Sequence, residues 1–455
     1  MLSLLLAVTL PISLRFEATH ERLAAKGAKI EIEIPAANGY VLHSRRSGTS
    51  LGIVDLAYLR ERIAHLAQAN QPVAAATHDV LFYEMSDATV CCSTGTRPGN
   101  DCVAIKSDFD PGVLPRPRTT VTAHGPTVAL RGHQLIGYWE GYPNAKPRMS
   151  LREIAPQWDI IIATFAAPAK GSTSLLHFAP PPGYTEEQFK SDVAYLKSRG
   201  KKVLISLGGG GQVVTLNTSA DVQNFTSSVA AIVQRYGFDG IDLDIETPSL
   251  LIRPGDNDFR HPTTPSIVNL IAAVRELRDH FGPGFMISEV PEAAQAQAGM
   301  QTYGGQFGAF LPVIYGTRDI LSFVDAQDYN TPPLQGLDGN YYFPGTADYH
   351  VALSEMLVHG FPIGAGASFP AFPPEKVAIG LPATPSSARN YTDPADIENA
   401  LAYLTTGKPY PSATYHLLNP RGYAAFKGAM FWSINQDQEN GRRMSNAIGS
   451  LLHGR

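Results

Sequence analysis

The 455-residue chain is poor in cysteine and in charge, and these shortages exclude several classes of protein. It holds three cysteines, charged residues make up 17% of it, and its formal net charge is −5. No long basic run is present, so the sequence does not show the pattern of a nucleic-acid-binding protein. Hydrophobic residues at 44% indicate a globular chain, long enough for one large domain and a smaller one.

The three cysteines, Cys91, Cys92 and Cys102, all lie in the first quarter of the chain. One disulfide from Cys102 to Cys91 or Cys92 is compatible with them and leaves one thiol over. No His or Cys cluster completes the ligand spacing of a zinc site, so we expect no metal. The cysteines weakly indicate an oxidising compartment and carry no information about chemistry.

Long apolar runs are also absent. Residues 1–14 are apolar, but a membrane span needs about 20 residues. The same stretch lacks the basic start and the A-x-A cleavage site of a signal peptide. We therefore expect a buried strand or helix there and no membrane span.

Residues 1–112 form an N-terminal region whose role the sequence does not identify. Residues 29–34 alternate as in a strand, residues 54–67 show the apolar spacing of an amphipathic helix, and residues 80–83 resemble a strand. A mixed α/β fold and a β-rich fold are both compatible with this pattern.

A change of composition marks a domain boundary. Residues 113–128 are rich in proline and threonine, which is typical of a linker. We place the second domain at residues 129–455, where strand and helix patterns alternate.

The most informative stretch of this second domain is an acidic strand at residues 238–246. Three acids occupy every second position and therefore share one face of the strand: Asp242, Asp244 and Glu246. The opposite face is aliphatic. Three adjacent carboxylates repel one another, so at least one keeps a proton, as a general acid working near neutral pH requires. The alternative is a solvated surface strand without chemistry.

The segment from Asp239 to Glu246 reads D-G-x-D-x-D-x-E, which resembles the signature of family 18 glycoside hydrolases, the chitinases and their relatives. One strand earlier, Ser206, Gly208 and Gly209 form S-x-G-G, which resembles the second signature of that family. Two motifs in the same order and spacing are a specific signal. The resemblance covers about residues 130–450.

The resemblance implies a (β/α)8 barrel, with active residues at the carboxyl ends of the strands. Eight strands fit the pattern, and a doubly wound sheet is the alternative. The predicted strands lie at residues 135–139, 160–165, 203–207, 238–246, 285–289, within 320–330, 377–381 and 428–435. Predicted helices lie at residues 186–198, with Thr185 as N-cap, 220–236, 266–280 and 396–405.

The length of one connection favours an open cleft. About 46 residues separate the seventh and eighth strands, too few for the α+β insertion that deepens the cleft in some chitinases. The chain thus resembles the bacterial, open-cleft type, which often cuts within chains. The stretch from Met286 to Glu292, which includes the end of the fifth strand, is longer than the usual family pattern, so its acids Glu289 and Glu292 are left out of the predicted site.

The resemblance also implies residue roles. Glu246 is the general acid and base, Asp244 orients the acetamido group of the substrate, Asp242 sets the protonation of Asp244, and Tyr329 holds the acetamido oxygen. Substrate contacts are expected from Trp432, as the floor under the sugar, and from Gln327, Asn330 and Tyr138. Structural support is expected from Asp239, Ser206, Gly208 and Gly209. No cofactor is implied.

The expected function is therefore retaining hydrolysis of β-1,4-linked N-acetylglucosamine polymers, with chitin or its oligosaccharides as the partner. An endo-β-N-acetylglucosaminidase acting on N-glycans shares the acidic motif and is the second candidate. A non-catalytic lectin on the same barrel is the third, although such relatives typically lose one of the acids. A polymeric substrate implies a secreted protein.

Overall fold

A computed structural model describes residues 132–143, 145, 147–364 and 366–454, together with the backbone of six short strands nearer the N-terminus. The chain divides into two units, Met1–Pro126 and Thr127–Arg455. The predicted helix at residues 54–67 and the linker at 113–128 lie outside the described residues, as does Cys102. The linker and the role of the N-terminal region therefore stay predictions.

The described strands of the first unit form two antiparallel sheets of three strands each. The predicted strands at residues 29–34 and 80–83 correspond to the first strand of each sheet. The six strands are β1 Ile30–Ile32, β2 Tyr40–Ser44, β3 Ser50–Val54, β4 Leu81–Glu84, β5 Val90–Ser93 and β6 Val103–Ala104.

The second unit is a parallel (β/α)8 barrel. Its eight strands are β7 Gln134–Glu140, β8 Ile160–Pro168, β10 Lys202–Gly208, β11 Gly240–Asp244, β12 Met286–Glu289, β13 Phe323–Val324, β18 Ala378–Pro382 and β19 Gly428–Trp432. They pair in the order β13-β12-β11-β10-β8-β7-β19-β18. Parallel bridges from Val324 to Val377 and from Gln327 to Gly380 close the ring. The barrel is confirmed, and the doubly wound alternative is wrong.

Short strand pairs lie in the loops of the barrel. They are β9 Leu176–His177, which pairs antiparallel with β8, the pair β14 Leu334–Gln335 and β15 Tyr341–Tyr342, and the pair β16 Gly360–Pro362 and β17 Ser368–Pro370. Three 3₁₀ turns lie at Leu151–Glu153, Gln297–Met300 and Pro374–Lys376.

The helices of the described residues are α1 Glu186–Ser198, α2 Ser219–Tyr236, α3 Pro265–Phe281, α4 Leu311–Thr317, α5 Ala347–His359, α6 Pro394–Thr406, α7 Ile434–Glu439 and α8 Arg443–His453. Thr185 caps α1, since its hydroxyl accepts a hydrogen bond from the Gln188 N–H at 3.2 Å. In α2, Phe225, Val229 and Val233 recur at intervals of four and are buried against the sheet. Among the described helices, none is long and apolar enough to span a membrane.

Strand alternation sorts side chains into two cores. Ile241, Leu243 and Ile245 belong to the large cluster between strands and helices, and each is at most 1% exposed. Asp242 and Asp244 therefore point into the barrel, as predicted from their spacing. A smaller cluster of apolar and aromatic side chains fills the barrel interior beside them: Ile136, Tyr138, Ile160, Ile162, Leu204, Val290, Phe323, Ala378 and Met430.

Two strands end earlier than the sequence predicts. β11 stops at Asp244, so Glu246 lies two residues beyond it, in the loop at the rim of the barrel. β19 stops at Trp432, because Ser433 caps the next helix: its hydroxyl accepts from the Gln436 N–H at 3.3 Å. Residues 434–435, predicted as strand, are therefore the start of α7.

Candidate active site

A cleft of about 800 Å³ opens at the carboxyl ends of the barrel strands. The acid row (Asp242, Asp244 and Glu246) runs from the barrel interior up to this cleft, and its upper two members line it. Asp242 is fully buried, Asp244 is 5% exposed and Glu246 is half-buried. The other described lining residues include Gly141, Tyr142, Phe165, His177, Gly210, Gln212, Gln327, Tyr329, Asn330 and Trp432.

Asp242 is held by three hydroxyl groups. Its Oδ2 accepts from Tyr138 Oη at 2.9 Å and from Ser206 Oγ at 2.7 Å, and its Oδ1 accepts from Ser288 Oγ at 2.7 Å. Burial raises the pKa of Asp242 to about 6, against the opposing effect of the three donors. The three hydroxyl donors favour its ionised form.

Asp244 and Glu246 share a hydrogen bond. Burial, followed by the charges of Glu246 and Asp242, raises the pKa of Asp244 well above its usual value. Burial also raises the pKa of Glu246. The pair therefore keeps a proton at neutral pH, in direct reach of the cleft.

Gln327 contacts both Asp244 and Glu246. Its Nε2 donates to Asp244 Oδ1 at 3.3 Å and to Glu246 Oε1 at 3.0 Å, and also to the Val290 carbonyl at 3.3 Å. The sequence predicts a substrate contact for Gln327. The structure places it where it orients the acid pair and also lines the cleft.

Tyr138 lies deeper in the barrel than a residue that contacts the substrate. It is 2% exposed, its hydroxyl is bonded to Asp242, and its ring packs under Trp432 with centroids 5.7 Å apart. Tyr138 is not among the residues that line the cleft. The structure thus groups it with the supporting residues.

Tyr329 lines the cleft together with Asp244 and Glu246 and is 8% exposed. Burial, and then the charges of Asp244 and Glu246, raise the pKa of Tyr329 well above its usual value, so the phenol stays neutral and can donate. Asn330 follows at an exposed position with φ 54°, and its Oδ1 accepts from the Arg389 N–H at 3.0 Å. Both residues line the cleft, but the amide oxygen of Asn330 is already engaged.

Trp432 is half-buried at the cleft and belongs to an aromatic stack (Tyr142, Phe165 and Trp432). The rings of Phe165 and Trp432 have centroids 5.8 Å apart with planes 23° apart. Those of Tyr142 and Phe165 are 6.3 Å and 7° apart. Phe165 was missed in the sequence, where it appears only as the last apolar residue of a strand.

The S-x-G-G motif allows backbone to approach closely beside the acid row. Gly208 and Gly209 have φ of 102° and 90°, which disfavour residues with a side chain. A Cβ on Gly208 would lie 2.5 Å from the Asp244 carbonyl oxygen, and one on Gly209 would lie 2.7 Å from the Phe165 ring. The Gly209 N–H donates to that same Asp244 carbonyl at 2.9 Å. The motif thus fixes both Asp244 and the aromatic stack.

Gly209→Ala is expected to lower the free energy of unfolding by about 2–4 kcal/mol, from backbone strain and from the clash with Phe165. Gly211→Ala is the matched control, because Gly211 has a similar φ of 77° but open space around its Cβ position. It is expected to cost only the strain, about 1 kcal/mol. Chemical denaturation measures both values, and equal losses would show that the Phe165 contact is unimportant.

Asp239 lies below the site, at the entry of β11. Its Oδ2 accepts from the Val203 N–H at 3.0 Å, and its Oδ1 lies 3.2 Å from Lys197 Nζ. These contacts tie the start of β11 to β10 and to the end of α1. They are the contacts of a residue that supports the strand.

Several buried groups near the site were missed in the sequence. Ser288 completes the three donors around Asp242. Asp325 is fully buried, and burial followed by the charge of Asp242 raises its pKa well above its usual value. The sequence held one signal for Asp325. It lies two residues from the interior residue Phe323 and two from Gln327, so strand alternation places all three on the same face.

The two acids left out of the predicted site lie away from the cleft lining. Glu289 is fully buried on the helix side, where its Oε1 accepts from Thr317 Oγ1 at 2.8 Å, and burial raises its pKa to about 8. Glu292 Oε2 accepts from the Thr247 N–H at 2.8 Å. The negative charge of Glu292 also raises the pKa of Glu246, although burial is the larger cause of that shift.

The fold and the site define a class of protein. A closed barrel that carries a protonated carboxyl pair, a neutral tyrosine and an indole ring at an open cleft is the arrangement of a glycoside hydrolase. A family model described as "Glycosyl hydrolases family 18" matches residues 134–433. The chain belongs to this family.

Named relatives agree with this assignment. Chitinase D of Niallia circulans is 44% identical over 324 residues, covering 70% of this chain and 62% of the relative. Chitinase Chi52 of Paenibacillus xylanexedens is 44% identical over 323 residues, covering 70% and 61%. The chain thus spans about three fifths of the length of these two relatives. The crystal structure of a family GH18 chitinase from Chromobacterium violaceum superposes with a TM-score of 0.65 at 33% identity, covering 83% of this chain and 96% of that one.

Proposed function

We propose that this protein hydrolyses β-1,4 linkages between N-acetylglucosamine units of chitin and chitooligosaccharides, with retention of the anomeric configuration. The observation that carries the proposal is the pair of Asp244 and Glu246 at the cleft, where Gln327 Nε2 donates to both and burial raises the pKa of both. The relatives named above are called chitinases, which supports the substrate class. Since a polymer of this kind cannot enter a cell intact, we also propose that the protein acts outside the cell.

The position of the two acids argues for a nucleophile that the substrate supplies. A retaining enzyme with a protein nucleophile places two carboxyl groups about 5 Å apart across the scissile bond, and an inverting enzyme places them about 6.5–9.5 Å apart. Asp244 and Glu246 are instead hydrogen-bonded to each other, so both lie on the same side of the scissile glycosidic bond. The acetamido carbonyl oxygen of the sugar can then attack its own anomeric carbon.

In the first step Glu246 protonates the glycosidic oxygen while the acetamido oxygen attacks C1, so that the C1–O bond breaks and the leaving chain departs as an alcohol. Asp244 accepts a hydrogen bond from the acetamido N–H, and its negative charge stabilises the positive oxazolinium. Tyr329 donates to the acetamido oxygen. In the second step Glu246 deprotonates a water that attacks C1 from the side of the departed chain, which restores the original configuration.

The substrate class is tested by incubating the protein separately with N-acetylglucosamine hexamer and with a free biantennary N-glycan, followed by mass spectrometry. We expect the hexamer to yield shorter oligomers and the N-glycan to stay intact. Cleavage of only the N-glycan would overturn the chitin assignment in favour of an endo-β-N-acetylglucosaminidase. Binding of the hexamer without cleavage of either compound would indicate a lectin.

A further inference from the structure

Glu140, the last residue of β7, is a buried carboxylate that the mechanism above does not use. It lies two residues beyond Tyr138 on the interior face and is 5% exposed. Its two oxygens each accept a hydrogen bond from a hydroxyl, one from Tyr142 and one from Ser433. Its own backbone N–H donates to Asn435 Oδ1 at 2.8 Å. Glu140 thus joins the loop after β7 to the end of β19.

The two hydroxyls that Glu140 binds lie at opposite ends of the aromatic stack. Tyr142 is the outer ring of that stack, and Ser433 directly follows Trp432, the inner ring. The contacts therefore form a closed ring, in the order Glu140, Tyr142, Phe165, Trp432, Ser433 and back to Glu140. In such a ring the plane of the Trp432 indole is set from both sides: by Phe165 through stacking and by Ser433 through the backbone.

We propose that Glu140 is a positioning residue that fixes the orientation of Trp432 and, through it, the affinity of the cleft for the sugar at the cleavage point. This inference rests on the proposed function, in which that sugar stacks on the indole. A sugar ring gains most from an aromatic face when the two planes are parallel, so a few degrees of freedom in the indole weaken the contact. The Glu140 carboxylate restricts that freedom without touching the substrate.

Tyr142 gives the same carboxylate a second effect. A neighbouring cavity of about 790 Å³ is lined by Glu140 and Tyr142, and it shares Tyr142, Pro181 and Pro182 with the catalytic cleft. The Tyr142 ring is therefore part of the wall between the two spaces. Its bond to Glu140 keeps this wall in place.

Two substitutions of Glu140 distinguish a positioning role of its hydrogen bonds from a role of its charge. A glutamine at position 140 keeps one acceptor oxygen and gains an N–H that can donate to the second hydroxyl, so both links survive. An alanine removes both links. Glu140→Gln should therefore retain function while Glu140→Ala should lose it, whereas a catalytic charge would be lost in both variants.

The experiment compares Glu140→Ala, Glu140→Gln and the exposed control Glu187→Ala. Steady-state kinetics on N-acetylglucosamine hexamer are measured across pH, and hexamer binding is measured with each change in a Glu246→Gln background. We expect Glu140→Ala to lower kcat/KM and to weaken binding by about tenfold, as loss of hydrogen bonds to a charged group predicts. Glu140→Gln should stay within about threefold of wild type with an unshifted pH profile, and Glu187→Ala should be unchanged.

Tryptophan fluorescence gives a readout that does not depend on activity. The chain holds three tryptophans, and Trp139 and Trp158 are at most 1% exposed, so acrylamide quenching reports mainly on Trp432. Quenching should increase in Glu140→Ala and not in Glu140→Gln. If Glu140→Ala fails to fold, the pair Tyr142→Phe and Ser433→Ala replaces it, and each should weaken hexamer binding, with less than additive loss in the double variant.

Two results would overturn the proposal. The first is wild-type binding and wild-type quenching in Glu140→Ala or in the paired variants. The second is a Glu140→Gln variant that is as impaired as Glu140→Ala and has a shifted pH profile. An inactive wild-type protein would instead refute the proposed function, so the two failures are distinguishable.

Discussion

Glu246→Gln is expected to lower kcat on N-acetylglucosamine hexamer at least about a hundredfold, the lower end for loss of a general acid. Glutamine keeps the shape of the side chain and its contact with Gln327, so only proton transfer is removed. KM should change little, because the sugar contacts remain. Initial rates at saturating hexamer measure the effect.

The pH dependence of the rate provides a second signature of Glu246. Burial raises the pKa of Glu246, so the wild-type side chain keeps its proton to a higher pH than an ordinary glutamate. The rate should therefore hold through mildly acidic pH and fall as pH rises through this raised pKa. The residual rate of Glu246→Gln should lack that fall.

Glu292→Gln is the matched control for Glu246→Gln. Glu292 lies close enough for its charge to act on Glu246, but its carboxylate is bonded to the Thr247 N–H and is absent from the cleft lining. We expect kcat within about threefold of wild type, with the basic limb shifted slightly to lower pH as a neighbouring negative charge is lost. A loss as large as that of Glu246→Gln would point to Glu292 as a second catalytic carboxylate and contradict substrate assistance.

Asp244→Asn is expected to lower kcat by about a hundredfold or more while leaving KM nearly unchanged. Aspartate and asparagine have nearly the same shape, and the asparagine oxygen can still accept from the acetamido N–H. The asparagine carries no negative charge to stabilise the oxazolinium. The loss therefore falls on the transition state and not on the bound substrate.

Asp244→Ala separates the two contributions of this residue. Alanine removes the hydrogen bonds as well as the charge, so kcat should fall further and KM should rise. Equal kinetics for the two variants would mean that the negative charge contributes nothing beyond hydrogen bonding. Wild-type kcat in Asp244→Asn would remove Asp244 from the mechanism altogether.

The sequence predicted the parts of this fold that depend on neighbours along the chain. The alternation of Ile241, Leu243 and Ile245 with the acids placed the acids inside the barrel, because strand geometry fixes which face a residue occupies. Helix α1 begins and ends where the sequence predicted, since Thr185 supplies a strong local start signal. The D-G-x-D-x-D-x-E and S-x-G-G motifs then indicated the family to which the barrel belongs.

The sequence did not predict contacts between residues far apart in the chain. Ser433 and Glu140 are separated by 293 positions, and Ser288 and Asp242 by 46. Nothing local distinguishes Ser288 from any other small residue in a strand, and Phe165 looks like a core residue until its stacking on Trp432 is seen. Gln327 shows the same limit: its position was predicted, but not that it bonds to both acids.

Substrate assistance is tested most directly by the anomeric form of the first product. NMR spectra recorded within the first minutes of hexamer hydrolysis, before mutarotation, distinguish the β- from the α-anomer at the new reducing end. The arrangement of Asp244, Glu246 and Tyr329 predicts the β-anomer, and it predicts no cleavage of a glucose hexamer that lacks the acetamido group. An α-anomer as the first product, or cleavage of the glucose hexamer at a comparable rate, would contradict substrate assistance.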